Sequence, residues 1–138
     1  MSTLLEHGGQ VDLWGGWKVR LPSSYYETNP DGSWSSWGED WTLDVDIVEI
    51  AGDSQGTPVP PEALLSQEGA INAKGEGWIG EVALNKEMDN SLEVFRLAAR
   101  LAATNTCCWI TVSYFADHQH PFAEDLVRAI SHEAVPHV

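Results

Sequence analysis

The chain has 138 residues, 43% of them hydrophobic, with seven tryptophans and a formal charge of −14 from 21 acidic and 7 basic side chains. That length fits a single domain spanning 1–138 with a core of its own, and the apolar content argues against disorder. The acidic surplus repels nucleic-acid phosphates and anionic lipid, and no run of about 18 apolar residues is present to span a membrane.

Residues 1–10, MSTLLEHGGQ, carry neither the cationic region nor the apolar run of an export signal, and read as a loose leader. Trp17, Val19 and Leu21 alternate with Lys18 and Arg20, which predicts a strand that Pro22 ends, with a short strand at Val11–Trp14 ahead of it. Tyr25–Thr28 and Ser33–Trp37 flank Asn29-Pro30-Asp31-Gly32, the turn chemistry of a hairpin. Trp41, Leu43, Val45 and Ile47 then face one way while Thr42, Asp44 and Asp46 face the other. This is a half-buried strand with a wet, acidic side. The alternation slips at Val48 and Glu49, marking a bulge or the strand end.

Gly52–Pro60 reads as a loop, and Pro61 opens a short middle helix to about Gln67, anchored by Leu64 and Leu65. Trp78, Gly80, Val82 and Leu84 alternate again, and Asn85–Ser91 reads as a turn. Leu92–Ala103 contains LAARLAA, which has helical propensity, but Phe95, Leu97, Ala99 and Leu101 alternate and the segment reads as a strand. The turn Thr104-Asn105-Thr106 joins it to CCWITVSYF, apolar or β-branched on both faces and therefore expected to be covered on both. After ADHQH, Pro121 opens an amphipathic helix reaching His132, with His120 before it as a cap. The expected fold is thus α+β: an antiparallel meander of about six strands, a short middle helix, and a C-terminal helix packed on the sheet.

This order of elements resembles the PsbP-like superfamily. The segments that carry the likeness are GGWKVRLP (15–22), EDWTLDVDI (39–47) and RLAARLAATNTCCWITVSYFADHQHPFAEDLVRAI (96–130). The resemblance implies an α/β/α sandwich and a binding protein with no catalytic residues to carry over. Members include a photosystem II extrinsic subunit, a Ran-binding import factor and bacterial secretion accessory proteins. The transit peptide or lipid-attachment cysteine of some members is absent from this sequence, which argues against the photosynthetic and envelope-anchored roles.

Chemical motifs are few. Cys107 and Cys108 are adjacent and would point to opposite faces of a strand, so two reduced, packed thiols are expected and the cytoplasm is the matching compartment. Asp117-His118-Gln119-His120 supplies at most two metal ligands from one loop, fewer than a zinc site needs, and no cofactor is assigned. No GxSxG elbow or phosphate loop occurs, and no enzyme activity is assigned. The leading expectation is a non-enzymatic module that binds a basic protein partner through Trp34, Trp37, Asp44, Asp46 and Glu49. An immunity protein or a secretion accessory chaperone would be concrete forms of it. The rival is a small-molecule site or enzyme pocket between sheet and C-terminal helix, near His118 and His120.

Overall fold

A computed structural model describes residues 2–50, 57–65 and 71–134. Eleven strands occur among them: β1 (Thr3–Leu5), β2 (Gly9–Asp12), β3 (Trp17–Leu21), β4 (Ser24–Thr28), β5 (Trp34–Trp37), β6 (Trp41–Glu49), β7 (Ala73–Gly75), β8 (Trp78–Asp89), β9 (Leu92–Ala103), β10 (Thr106–Tyr114) and β11 (Ile130–His132). One α-helix, α1 (His120–Arg128), follows β10. Eight strands form an antiparallel sheet in the order β1-β4-β5-β6-β10-β9-β8-β7, and a second sheet has the order β11-β3-β2.

The alternating pattern decides what each face of the large sheet does. Directly opposed residues of antiparallel strands share a face. Leu43 lies opposite Val112 and Val112 opposite Leu97, so an inner face of large apolar side chains runs across β6, β10 and β9. The small sheet and α1 cover that face, and Trp17, Val19, Ile130, Leu126 and Val127 complete a common core with it. Two buried indoles bridge the layers. Trp17 Nε1 donates to Thr106 Oγ1 at 2.9 Å, and Trp78 Nε1 donates to the Ile130 carbonyl at 2.7 Å. Gly77, at φ +82°, lets the chain pass where a Cβ would meet the His132 carbonyl oxygen at 2.0 Å.

Several expectations are overturned. The molecule is a mainly antiparallel β structure and not an α+β sandwich: covering elements occupy the inner face, and the sheet has eight strands in place of about six. The middle helix is a single 3-10 turn, Pro61–Leu64, without a buried residue; Gln67 lies outside the described residues. With only Leu64 and Leu65 as apolar anchors, the segment lacks the stripe that stabilises an amphipathic helix. Residues 3–5 and 9–10, expected in a loose leader, pair with β4 and β3, and the short strand expected at Val11–Trp14 runs instead over Gly9–Asp12.

The C-terminal helix starts at His120, with no side-chain cap, and stops at Arg128. Ile130, Ser131 and His132 instead pair with Val19, Lys18 and Trp17 as a strand. The open edge of β3 offers ladder hydrogen bonds, and pairing there buries Ile130 completely. The expected turn at Asn85–Ser91 is strand as far as Asp89, and only Asn90 and Ser91 turn the chain, with φ of 49° and 69°. Cross-strand attraction (Lys86 to Glu93 at 3.1 Å, and Arg96 to Glu87) outweighs the polar, loop-like composition. β6 pairs with β10 without interruption through Glu49, so the slip at Val48 marks a strand end and no bulge. No helix among the described residues is long and apolar enough to cross a membrane.

Candidate functional site

The outer face of the large sheet is the reverse of the core, and its side chains fall into cross-strand rows. One row runs Glu27, Ser35, Asp44, Thr111, Ala98, Ala83. It is a row of small side chains with acid at one end. A second row, two residues further along each strand, runs Asp46, Trp109, Arg100, Glu81. A third, two residues back, begins with Tyr25 and Trp37 and passes through Ser113 to Arg96. The small row is therefore the floor of a groove beside the ridge of the second row; the third row rises as a ridge only at Tyr25, Trp37 and Arg96, with Thr42 and Ser113 between them. The concavity along it holds about 700 Å³ and is lined by Asp44, Asp46, Thr111, Ala98, Trp109 and Arg100, among others. Beyond the second row, the turn at Pro61–Leu64 packs on β8, β9 and β10 at the end where Cys107 and Ala102 are buried.

The aromatics of the ridges are held in place. Trp109 is 48% exposed, yet its Nε1 donates to Cys107 Sγ at 3.1 Å and the Arg100 guanidinium lies 4.7 Å from its ring centre. Tyr25 and Trp37 stack with centroids 6.0 Å apart and planes 18° from parallel. Rigid, half-exposed Trp, Tyr and Arg side chains are the usual anchors of protein interfaces, because little conformational freedom is lost when they are covered.

The charge is distributed unevenly. Residues 1–70 carry twelve of the 21 carboxylates and two of the seven basic side chains. On the outer face Arg100 lies 3.8 Å from Glu81 and Arg96 pairs with Glu87, so the β8–β9 side is locally neutral. Asp44 accepts a hydrogen bond from Ser35 Oγ at 2.7 Å. Among the described residues, no salt bridge reaches Glu27, Asp44 or Asp46.

The residues singled out in the sequence do not all meet here. Asp44, Asp46 and Trp37 share the outer face, but Trp34 points inward, 3% exposed and tilted against Tyr26. Trp34 and Trp37 are three residues apart on one strand, so their side chains must take opposite faces. Glu49 has the parity of the inner face as well, at the end of β6 beside Gly15. The anchor that sequence reasoning missed is Trp109. It alternates with Thr111 and Ser113, a half-polar face that signalled exposure, whereas β10 was expected to be covered on both sides.

His118 is exposed on the 3-10 turn Asp117–Gln119, while His120 is half-buried at the start of α1. His120 Nδ1 lies 2.7 Å from the Tyr114 hydroxyl and its Nε2 lies 2.7 Å from Glu124 Oε1, so both ring nitrogens are engaged. Burial pushes the Tyr114 hydroxyl above its ordinary pKa. A cavity of about 400 Å³ lies between α1 and the sheet, lined by Trp78, Val82, Leu97, Val127, His120 and Glu124 but not by His118. Among the described residues no three His, Cys, Asp or Glu side chains gather as a metal site would require. Both cysteines are free and buried, and desolvation raises each thiol pKa, most strongly at Cys108.

Comparison of the chain with protein-family models and with curated proteins returns no match. Among solved structures, a crystal structure from Bacteroides thetaiotaomicron VPI-5482 superposes with a TM-score of 0.69 at 10% sequence identity. The match covers 92% of this chain and 49% of that one, so this chain spans about half the length of its structural neighbour. At that identity the likeness concerns the fold alone.

Proposed function

We propose that this protein is a non-enzymatic binding module that holds a basic protein partner against the outer face of its eight-stranded sheet. The observation that carries the reading is the asymmetry of the sheet. One face is sealed by a second layer, while the other presents a concave floor, pinned aromatics and carboxylates that no cation of the described chain neutralises. Attraction to Glu27, Asp44 and Asp46 would speed encounter, and Trp109, Trp37 and Tyr25 would provide the contacts that set residence time. Immunity against a basic toxin and escort of a secretion substrate are both compatible with such a face, and the two reduced thiols fit the cytoplasm. The cavity beside α1 supports a small-molecule reading less well, because the one histidine lining it has both nitrogens occupied within the protein.

A fluorescent lysine-rich peptide titrated at low and high salt tests the reading. Each partly exposed ion pair lost is worth about 0.2–1 kcal/mol, so Asp44→Asn with Asp46→Asn should weaken binding by roughly 2- to 30-fold and flatten its salt dependence. Asp117→Asn with Asp125→Asn removes the same charge elsewhere and should do neither. Equal effects of the two pairs would reduce the attraction to net charge and overturn the proposed site.

A further inference from the structure

The conformation that a partner must adopt in this groove follows from the hydrogen bonding of its floor, granted the binding reading above. The groove crosses the sheet over β5, β6, β10, β9 and β8; along the small row β5, β6, β10 and β9 are each paired on both sides, while β8 is paired with β7 only over Trp78–Gly80. The backbone N–H and C=O groups of those four inner strands are spent in the ladders, so an extended peptide laid across them finds no partners for its own backbone. Over the Thr111 and Ala98 stretch of the floor its amides would be desolvated and unsatisfied. Strand addition works only along a sheet edge, and this groove runs across the strands, meeting the open edge of β8 only at its end. A helix carries its backbone hydrogen bonds internally and escapes that cost.

The dimensions agree. From the Asp46–Trp109–Arg100 ridge to the Trp37 and Arg96 side chains of the third row is four residues along a strand, roughly 13 Å, against a helix diameter of about 10–12 Å with side chains; Thr42 and Ser113 leave that second side low over β6 and β10. Four inter-strand steps from β5 to β8 span roughly 19 Å, the length of about 13 helical residues. Large floor side chains would hold a helix away, but the row offers Ser35, Thr111, Ala98 and Ala83. Charge gives the groove a direction, with Glu27, Asp44 and Asp46 at the β4–β6 end and the neutralised Arg100–Glu81 pair at the other.

We infer that the outer groove is a receptor for one amphipathic α-helix of a partner protein, about three and a half turns long, lying across the strands with its lysine or arginine residues over β4–β6. The small side chains of that helix rest on Ala98 and Ala83, and Trp109 closes over its flank.

The test uses the intact chain and two synthetic peptides of identical composition, made of alanine, leucine and lysine with the lysines grouped at one end. In one peptide two central alanines are D-alanine, which breaks the helix without changing charge. Affinity is read by fluorescence anisotropy and the contact site by amide chemical shifts of the ¹⁵N-labelled protein. The helical peptide should bind about tenfold or more tightly than its D-alanine analogue and shift the amides of Ala83, Ala98 and Thr111. Ala98→Phe, which fills the floor, should abolish the preference. Ala83→Phe, at an exposed position further along the same row, should do the same and stands in if Ala98→Phe fails to fold. Equal binding of both peptides, still weakened by Asp44→Asn with Asp46→Asn, would overturn the helix and leave the basic-partner reading standing. Binding of either peptide indifferent to those two carboxylates would overturn both.

Discussion

Polar contacts tie the layer that covers the inner face to the large sheet, and the one from Trp17 to Thr106 can be weighed. Trp17 is fully buried on β3, and its Nε1 donates to Thr106 Oγ1 at 2.9 Å across the layers; that oxygen lies 3.3 Å from the Val48 carbonyl as its own acceptor. Thr106→Val preserves shape and removes the hydroxyl. It leaves the indole N–H buried and unpaired, a cost of about 1–3 kcal/mol. With a urea m-value of about 2 kcal/mol/M, the unfolding midpoint by far-UV circular dichroism should fall by roughly 0.5–1.5 M. Trp17→Phe removes the donor together with part of the ring, so its larger loss should be mostly cavity. The double variant should then be about 1 kcal/mol more stable than the sum of the two single losses, since neither partner is left orphaned. A Thr106→Val midpoint equal to that of the unmodified protein, or strictly additive losses, would show that the bridge does not fasten the layers.

Other consequences are equally direct. The raised thiol pKa values of Cys107 and Cys108 make the native state bind protons that the unfolded chain releases from about pH 9 upward. Their contribution to stability is complete below that pH and is lost as pH climbs toward the folded-state values; Cys108→Ala should flatten the alkaline limb of a melting-temperature profile. At neutral pH both thiols should resist alkylation, and Trp109→Ala should speed the reaction at Cys107 alone, read by peptide mass spectrometry, because Trp109 Nε1 is seated on its sulfur. Ser91 sits at φ 69° in the two-residue turn between β8 and β9, so Ser91→Gly should raise stability by about 0.5–1 kcal/mol in chemical denaturation. Ending the chain at Asp117 removes α1 and β11, uncovering Trp41 beside Phe122 and the edge of β3. That truncation should partition into the insoluble fraction, and a soluble, cooperatively melting product would contradict the packing.

The lesson of the site concerns parity. The sheet reads two side chains in every two residues, one to each face, and a partner meets only one of them. Asp44 and Asp46 therefore act together whatever the rest of the chain does, whereas Trp34 and Trp37 never can. Trp109 joins the two carboxylates because β10 lies in register with β6 and puts it opposite Asp46. Register between strands distant in sequence, more than the identity of any one residue, assembles this surface.

Local sequence was sufficient for much of this. Alternation located β3, β6, β9 and β10, the Asn29–Gly32 turn marked the β4–β5 hairpin, and composition established the acidic surplus. Those features are legible because period-two side-chain placement and turn geometry act over neighbouring residues. Which face of the large sheet is sealed was decided only in the folded chain. Thr106–Tyr114 looks apolar enough on both sides, and one side is buried because Trp17, Val19, Ile130 and α1 arrive there from opposite ends of the sequence. Ile130–His132 shows the same division. Its spacing continues an amphipathic helix, but propensity differences of a few tenths of a kcal/mol per residue yield to ladder hydrogen bonds and the complete burial of Ile130 against a strand more than a hundred residues earlier.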